Sequence, residues 1–213
     1  MKIRSQTELQ DYLDGCLAGR KKELTTLHFI VSRNNREHER SAIIRAFLPL
    51  LYAHWEGFIK QSSMAYIKFV SCQRLPLGNL RYNFVAIALR DRIISAGKSK
   101  KTGLHEDLID FIVDHMGESL ILDPSVIDTE HNLSSRVLQD IMRTIGLKFD
   151  VMWEKKSAII DQQLLRHRNE IVHGELISVD VLLFEQLHKF VLESMEAFKV
   201  AIENAILLIS YKK

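Results

Sequence analysis

Apolar side chains recur every three or four positions through two long segments near the start of the chain, and the polar run RNNREHER at 33–40 separates them. This spacing places the apolar side chains on one face of a helix. It predicts a first helix over about 5–32, begun by a capping box at Ser5. The second periodic segment spans 44–59, and its period continues on both sides of Pro49, which predicts a kink rather than a helix end.

The remainder of the chain shows the same spacing in pieces of different length. It predicts helices over about 80–96, 104–116, 134–145, 150–173 and 179–209. No segment alternates apolar and polar residues over the length of a strand, and no internal repeat is present. We therefore expect an all-α protein. Its architecture would be a single domain over 1–213, an antiparallel up-down bundle of about four long helices with a smaller helical insertion at about 97–133.

Composition and charge narrow the possible partners. The formal net charge is only +2, so any contact with nucleic acid must come from local clustering of cations. The most apolar stretch, AIENAILLIS near the C-terminus, is interrupted by Glu203 and Asn204 and is too short to span a bilayer, so we expect no membrane partner. Cys16 and Cys72 lack the spacing of a metal site, and we expect reduced thiols in a cytoplasmic protein.

One arginine occupies a position where the predicted helix over 150–173 should carry an apolar side chain. With the helix wound at about 100° per residue, Arg168 lies at the centre of the apolar arc. The arc consists of Ile160, Leu164, Leu165, Ile171 and Val172. A guanidinium keeps its proton, so a desolvated one must meet an anion or line a polar cleft. In a purely structural role, Arg168 would pair with Asp161, two turns earlier at nearly the same azimuth, or with Glu56 on the second helix.

Asn169 and His173 lie beside this arginine on the same helix. They are four residues apart, so they are neighbours on one side of the helix. His173 falls in the last turn, where the helix dipole favours an imidazolium, and Gly174 is placed to end the helix in a left-handed conformation. A histidine in that position can hold or release a proton near neutral pH. Together with Arg168, these residues form a candidate phosphate-handling site.

The segment RNEIVHG at 168–174 resembles the R-x4-6-H motif of the HEPN superfamily, helical-bundle domains best known as metal-independent ribonucleases. The segment LYAHWEGFIK at 51–60 is also similar to the second-helix signature of a HEPN branch found among bacterial defence and toxin systems. In that superfamily the motif lies near the C-terminal end of a long helix that precedes the final helix, as predicted here. The similar string RNNREH at 33–38 lies in a charged stretch and lacks the glycine, so we treat it as a chance match.

The resemblance implies an endoribonuclease that acts on single-stranded or loop RNA and needs no metal or cofactor. His173 would be the general acid or base in attack by the ribose 2′-hydroxyl on the adjacent phosphate. Arg168 would stabilise the charge on the phosphoryl oxygens, and Asn169 would orient the phosphate or the histidine. The arginine and the histidine lie about 140° apart in azimuth, so two copies in a homodimer would complete the site. The implied role is a toxin or phage-defence effector held in check by a protein inhibitor or antitoxin.

Alternatives to a ribonuclease stay open. The chain could be a non-catalytic helical module that dimerises or binds a partner, with Arg168 as an ion-pair residue. It could also be a toxin silenced by modification of a tyrosine, as in relatives with R-x4-H-x-Y, although Glu175 occupies the tyrosine position here. The basic loop GKSKKTG at 97–103 lacks the glycine and the strand of a P-loop, and we interpret it as a solvated loop. His105 and His115 lie on a predicted polar helix face, and we assign them no metal.

Overall fold

The computed structural model describes residues 3–213, and helices form its framework. The helices are α1 (Gln6–Arg33), α2 (Glu37–Cys72), α3 (Tyr82–Ala88), α4 (Arg90–Lys98), α5 (Thr102–His115), α6 (Ser135–Thr144), α7 (Val151–Ala158), α8 (Arg166–Val172) and α9 (Val181–Leu207). Within the described residues, the only β-type pairing is an isolated bridge between Leu80 and Lys212. The prediction of an all-α fold is confirmed. No helix in that range combines the length and the apolar character needed to cross a membrane.

The long helices pack as an up-down bundle. Side-chain contacts between the helices establish their directions, because the start of one helix meets the end of the next. The pairs are Arg4–Gln73 and Arg20–His54 for α1 and α2, Asp14–Lys199 and Leu24–His188 for α1 and α9, and Lys156–Ser194 and Trp153–Phe198 for α7 and α9. Each of these helix pairs is therefore antiparallel, as the sequence predicted.

Aromatic side chains fill the centre of the bundle. Trp55 of α2 and Trp153 of α7 are 0% and 1% exposed, and their ring centroids lie 6.3 Å apart. Phe198 of α9 meets Trp153 edge-on at 6.3 Å. A buried aromatic side chain removes roughly 150–250 Å² from water, so this cluster binds three of the long helices to one another. Tyr52, one turn before Trp55, is also buried and faces the candidate site.

Some helix boundaries follow the predictions and others do not. The Ser5 hydroxyl accepts the Glu8 N–H at 3.1 Å while the Glu8 carboxylate accepts the Ser5 N–H at 3.1 Å, which is the predicted capping box. The helix α2 is 36 residues long and continues through Pro49, as predicted, but it begins at Glu37 inside the polar run and extends beyond residue 59 to Cys72. The helix predicted over 80–96 is instead divided into α3 and α4, because Leu89 leaves helical geometry with φ −100° and ψ 4°.

The long helix predicted over 150–173 changes its winding in the middle. The helices α7 and α8 are joined without a gap by Ile159–Leu165, which is π-helical. Because π-helical hydrogen bonds span five residues instead of four, azimuths calculated for an α-helix do not hold across this segment. The Asp161 carboxylate accepts the Ser135 N–H at 2.7 Å and the Ser135 hydroxyl at 2.5 Å. The expected pairing of Asp161 with Arg168 is therefore wrong.

Candidate active site

The Arg168 guanidinium packs over an aromatic ring and bonds two amide oxygens. Its Cζ atom lies 5.0 Å from the ring centroid of Tyr52. Its Nη1 donates to Asn169 Oδ1 at 2.6 Å and to Asn132 Oδ1 at 3.2 Å. Among residues 3–213, no carboxylate oxygen lies within 4.0 Å of its nitrogens. Neutral acceptors and a ring face hold this cation in place without neutralising its charge.

Tyr52 links Arg168 to a buried network on α2. The Tyr52 hydroxyl accepts the Leu133 N–H at 2.5 Å. Burial first, and then the charge of Glu56, raise the pKa of Tyr52, so the phenol stays protonated at physiological pH. Glu56 Oε1 accepts the hydroxyl of Thr129 at 2.5 Å. The expected Glu56–Arg168 ion pair is therefore wrong, since this carboxylate anchors a loop instead.

That loop, residues 128–133, covers the Arg168 side of α8. Its Glu130 and His131 have left-handed backbone angles, with φ of +53° and +58°. Such angles cost roughly 1–2 kcal/mol for a residue with a side chain, so the surrounding contacts must hold the loop in this shape. Those contacts are Thr129 with Glu56, Asn132 with Arg168 and Leu133 with Tyr52. The local sequence pattern did not predict the roles of Tyr52, Thr129 and Asn132, because these contacts join residues that are far apart along the chain.

His173 lies at the exposed end of α8. Its backbone N–H donates to the Asn169 carbonyl at 2.9 Å, which completes the last helical turn. Within residues 3–213, the imidazole has no hydrogen-bond or ion-pair partner. The structure therefore leaves His173 at the exposed helix end while it brings Arg168 and Asn169 together. The Asn169 side chain bonds Arg168 and orients the guanidinium.

Gly174 ends α8 in the predicted left-handed conformation, with φ +86°. Its N–H donates to the Ile171 carbonyl at 3.0 Å, and the Glu175 N–H donates to the Glu170 carbonyl at 2.9 Å. These two bonds define a Schellman motif. The prediction that a glycine ends this helix is confirmed, and the cap determines where the chain turns directly after His173.

Replacing Gly174 by alanine is expected to lower the free energy of unfolding by about 1–2 kcal/mol, because a Cβ disfavours the left-handed angle. The added Cβ would meet no atom within 4 Å, so steric overlap does not contribute. Gly19→Ala is the matched control, because Gly19 lies inside α1 and also has open space around it. That variant is expected to gain about 0.5–1 kcal/mol. Urea denaturation measures the free energy of unfolding of both variants. A change of the same sign in both would contradict the role of Gly174 as a left-handed helix cap.

The other candidate residues lie outside this network. His105 Nε2 lies 2.9 Å from the Ala96 carbonyl oxygen, and His115 Nδ1 lies 2.9 Å from Glu118 Oε1. Within residues 3–213, no three His, Cys, Asp or Glu side chains are arranged to hold a metal ion. The loop predicted at 97–103 is shorter in the structure, because α4 ends at Lys98 and α5 begins at Thr102. The lysines of this segment are exposed, as predicted.

The two R-N-x-x-x-H strings of the sequence have different surroundings. The string at 33–38 crosses the connection between α1 and α2, where Arg36 pairs with Glu39 at 2.7 Å. The string at 168–173 lies on α8, beside the aromatic network and directly before the glycine cap. Only the second string has the helix, the cap and the following last helix that the HEPN motif requires.

Comparison with protein families gives a match over most of the chain. Residues 16–204 match the family described as RiboL-PSP-HEPN. The chain belongs to this family. Its membership in the HEPN superfamily, predicted from the segments at 51–60 and 168–174, is thereby confirmed. The matched range extends from α1 to α9 and includes residues 97–133, the segment that the sequence predicted as an insertion. Comparison with curated proteins gave no significant match, and comparison with solved structures gave none.

In this HEPN domain, the motif residues belong to one short helix but face different surroundings. Arg168 is half-buried against α2 and the 128–133 loop, and His173 is exposed. A single copy of the domain therefore offers a partly buried cation and an exposed imidazole ring on separate sides of α8.

Proposed function

We propose that this HEPN protein is an endoribonuclease that cleaves single-stranded or loop RNA without a metal. The observation that supports this most directly is that Arg168 is a half-buried cation whose hydrogen-bond acceptors are all neutral. Hydrogen bonds from a guanidinium to a phosphate are roughly twice as strong as those between neutral groups. A phosphate carries a full negative charge, which the amide oxygen of Asn132 lacks, so it is the better acceptor for the guanidinium and can displace Asn132.

The chemistry assigned to the site is attack by the ribose 2′-oxygen on the adjacent phosphorus. His173 acts as the base that takes the 2′-hydroxyl proton or as the acid that protonates the departing 5′-oxygen. Arg168 stabilises the charge that develops on the non-bridging oxygens, and Asn169 keeps the guanidinium in place. The bond from phosphorus to the 5′-oxygen breaks. The products are a 2′,3′-cyclic phosphate and a 5′-hydroxyl end.

A homodimer completes the proposed site. Arg168 and His173 lie on different sides of α8, so a second copy would bring its own pair to the opposite side of the substrate. Exposed apolar side chains lie close in sequence to the motif: Val172 is 57% exposed, Leu176 is 89% exposed and Leu182 is 64% exposed. Exposed apolar side chains that form one patch mark an interaction surface, and we propose that these three belong to such a patch. We assign that surface to the second copy.

The alternative function is a helical module that dimerises or binds a partner without catalysis, and the same apolar side chains support it. The two functions differ in whether RNA is cut. In the cell, the proposed ribonuclease would be a cytoplasmic toxin or phage-defence effector, restrained by an inhibitor protein that covers the site or the dimer surface.

The chemical test uses a single-stranded RNA oligonucleotide with the purified protein in EDTA. We expect cleavage with cyclic-phosphate and 5′-hydroxyl ends, identified by mass spectrometry. The matched control substrate carries one 2′-deoxynucleotide at the mapped cleavage position, which removes only the attacking hydroxyl. Cleavage of that substrate at the same bond, or a requirement for a divalent metal, would contradict the mechanism.

A further inference from the structure

A groove of about 1570 Å³ lies between α3, α6 and the residues at the end of the chain. It is larger than the roughly 300–1,000 Å³ of a typical small-molecule site. Its cationic lining consists of Arg81, Arg136, Arg143, Lys148, Lys212 and Lys213, against the acidic Glu130 and Asp140. The excess of four positive charges is larger than the net charge of the whole chain, +2. The groove is thus the local clustering of cations that a nucleic-acid contact would need.

Most of these cations have no acidic partner. Arg136, Arg143, Lys148 and Lys212 are exposed. In the part of the chain from 3 to 213, none of them has a carboxylate oxygen within 4.0 Å. Cations that lie close together repel each other, and a bound polyanion would relieve this repulsion. Binding would also release counterions from the polyanion, which favours the complex.

The walls of the groove are held by hydrogen bonds to the backbone. Arg81 Nη1 donates to the carbonyls of Gly146 and Ser210, both at 3.3 Å. Asn83 Nδ2 donates to the Thr144 carbonyl at 2.9 Å. These bonds connect the start of α3 to the end of α6 and to the end of the chain. The groove is therefore formed before any ligand binds.

An exposed aromatic ring lies at the rim of the groove. Tyr82 is 77% exposed, and the Lys213 ammonium lies 4.4 Å from its ring centroid. Aromatic rings on which bases stack, beside cations that meet the phosphates, are the combination found in single-strand binding grooves. A paired duplex cannot offer its base faces to such a ring, so the combination favours a single strand.

The groove reaches the loop that contacts Arg168. Glu130 and Ser134 line the groove, and Asn132 between them lies 3.2 Å from Arg168 Nη1. We propose that the groove binds single-stranded RNA and leads it across the 128–133 loop to Arg168. The inference that RNA binds here follows from the groove alone. The inference that the RNA continues from the groove to Arg168 rests on the proposed function.

The test measures binding separately from cleavage. The full chain carrying His173→Ala is titrated against a fluorescent single-stranded RNA of about 12 nucleotides, within the length range that one such groove covers. The triple variant R136Q/R143Q/K148Q is expected to bind at least about tenfold more weakly. Its plot of log affinity against log salt should be less steep by about 2. Tyr82→Ala is expected to weaken binding by roughly fivefold or more.

The matched control removes three charges elsewhere. K98Q/K100Q/K101Q changes the net charge equally but alters exposed lysines at the end of α4 and in the following connection, outside the groove, and we expect its affinity to stay within about twofold of the parent. Unchanged affinity in the groove triple variant, or an equal loss in the control, would overturn the proposal. Tighter binding of duplex RNA, or competition by polyglutamate as effective as that by RNA, would overturn it as well.

Cleavage assays on the same substitutions, made with His173 intact, separate the two proposals. If the groove substitutions weaken RNA binding while the parent cuts no RNA, the groove inference stands and the proposed function fails. If the parent cuts RNA and the groove substitutions change neither binding nor cutting, the groove inference fails and the proposed function stands.

Discussion

Replacing Arg168 by alanine is expected to slow RNA cleavage by about 10²–10³-fold, the usual effect of losing one donor to a developing phosphoryl or oxyanion charge. The structure offers no obvious substitute, because the other groups that contact this position are the ring of Tyr52 and the amides of Asn132 and Asn169. Arg168→Lys keeps the charge but loses the planar fork, so it should recover only part of the rate. Initial rates in EDTA provide the measurement.

The same variant separates catalysis from a structural role. A buried ion pair broken by removal of one partner costs roughly 3–5 kcal/mol, but Arg168 has no carboxylate within 4.0 Å among residues 3–213. We therefore expect Arg168→Ala to lower the free energy of unfolding by only about 1–2 kcal/mol, for the ring contact and the two hydrogen bonds. A large loss of stability together with an unchanged cleavage rate would contradict this assignment.

Replacing Trp55 by alanine is expected to lower the free energy of unfolding by about 3–5 kcal/mol. Trp55 is fully buried and stacks on Trp153, so the change removes the aromatic contact between α2 and α7 and leaves a cavity. Tyr52 lies one turn away on α2, so a disturbed helix would also displace the ring beneath Arg168. Urea denaturation measures the loss of stability.

Trp55→Phe is the matched control for that cavity. Among the described residues, the Trp55 Nε1 atom is buried without a hydrogen-bond partner, which is unfavourable by about 1–3 kcal/mol. Phenylalanine is smaller and leaves part of the cavity, but it keeps a ring and removes this unpaired donor, so we expect a loss of less than about 1.5 kcal/mol. An equal loss of stability in Trp55→Ala and Trp55→Phe would contradict this expectation. It would show that the indole N–H has a partner or that the contact of the ring with Trp153 contributes little.

Local patterns in the sequence predicted the parts of the fold that local chemistry decides. The capping box at Ser5, the passage of α2 through Pro49 and the left-handed Gly174 each depend on residues a few positions apart. Arg168 could be singled out because the charged side chain interrupts an apolar period. The HEPN resemblance followed from this segment and from the segment at 51–60, and it was confirmed by the family match.

The surroundings of Arg168 could not be predicted, because they depend on a change of winding and on distant contacts. The π-helical segment Ile159–Leu165 shifts the register, so Asp161 bonds Ser135 instead of facing Arg168. Asn132 reaches Arg168 from a loop 36 residues away in sequence, shaped by two left-handed residues. Local apolar spacing contains no information about either feature.

We propose above all that His173 and Arg168 form a metal-independent ribonuclease site. The most direct test of this proposal is cleavage of a mixed cellular RNA pool in EDTA by the purified protein, with His173→Ala purified identically beside it. We predict cleavage by the parent protein and a rate at least about 10²-fold lower for the variant, the usual contribution of a general acid or base. Equal cleavage by both proteins, or cleavage by neither, would contradict the claim.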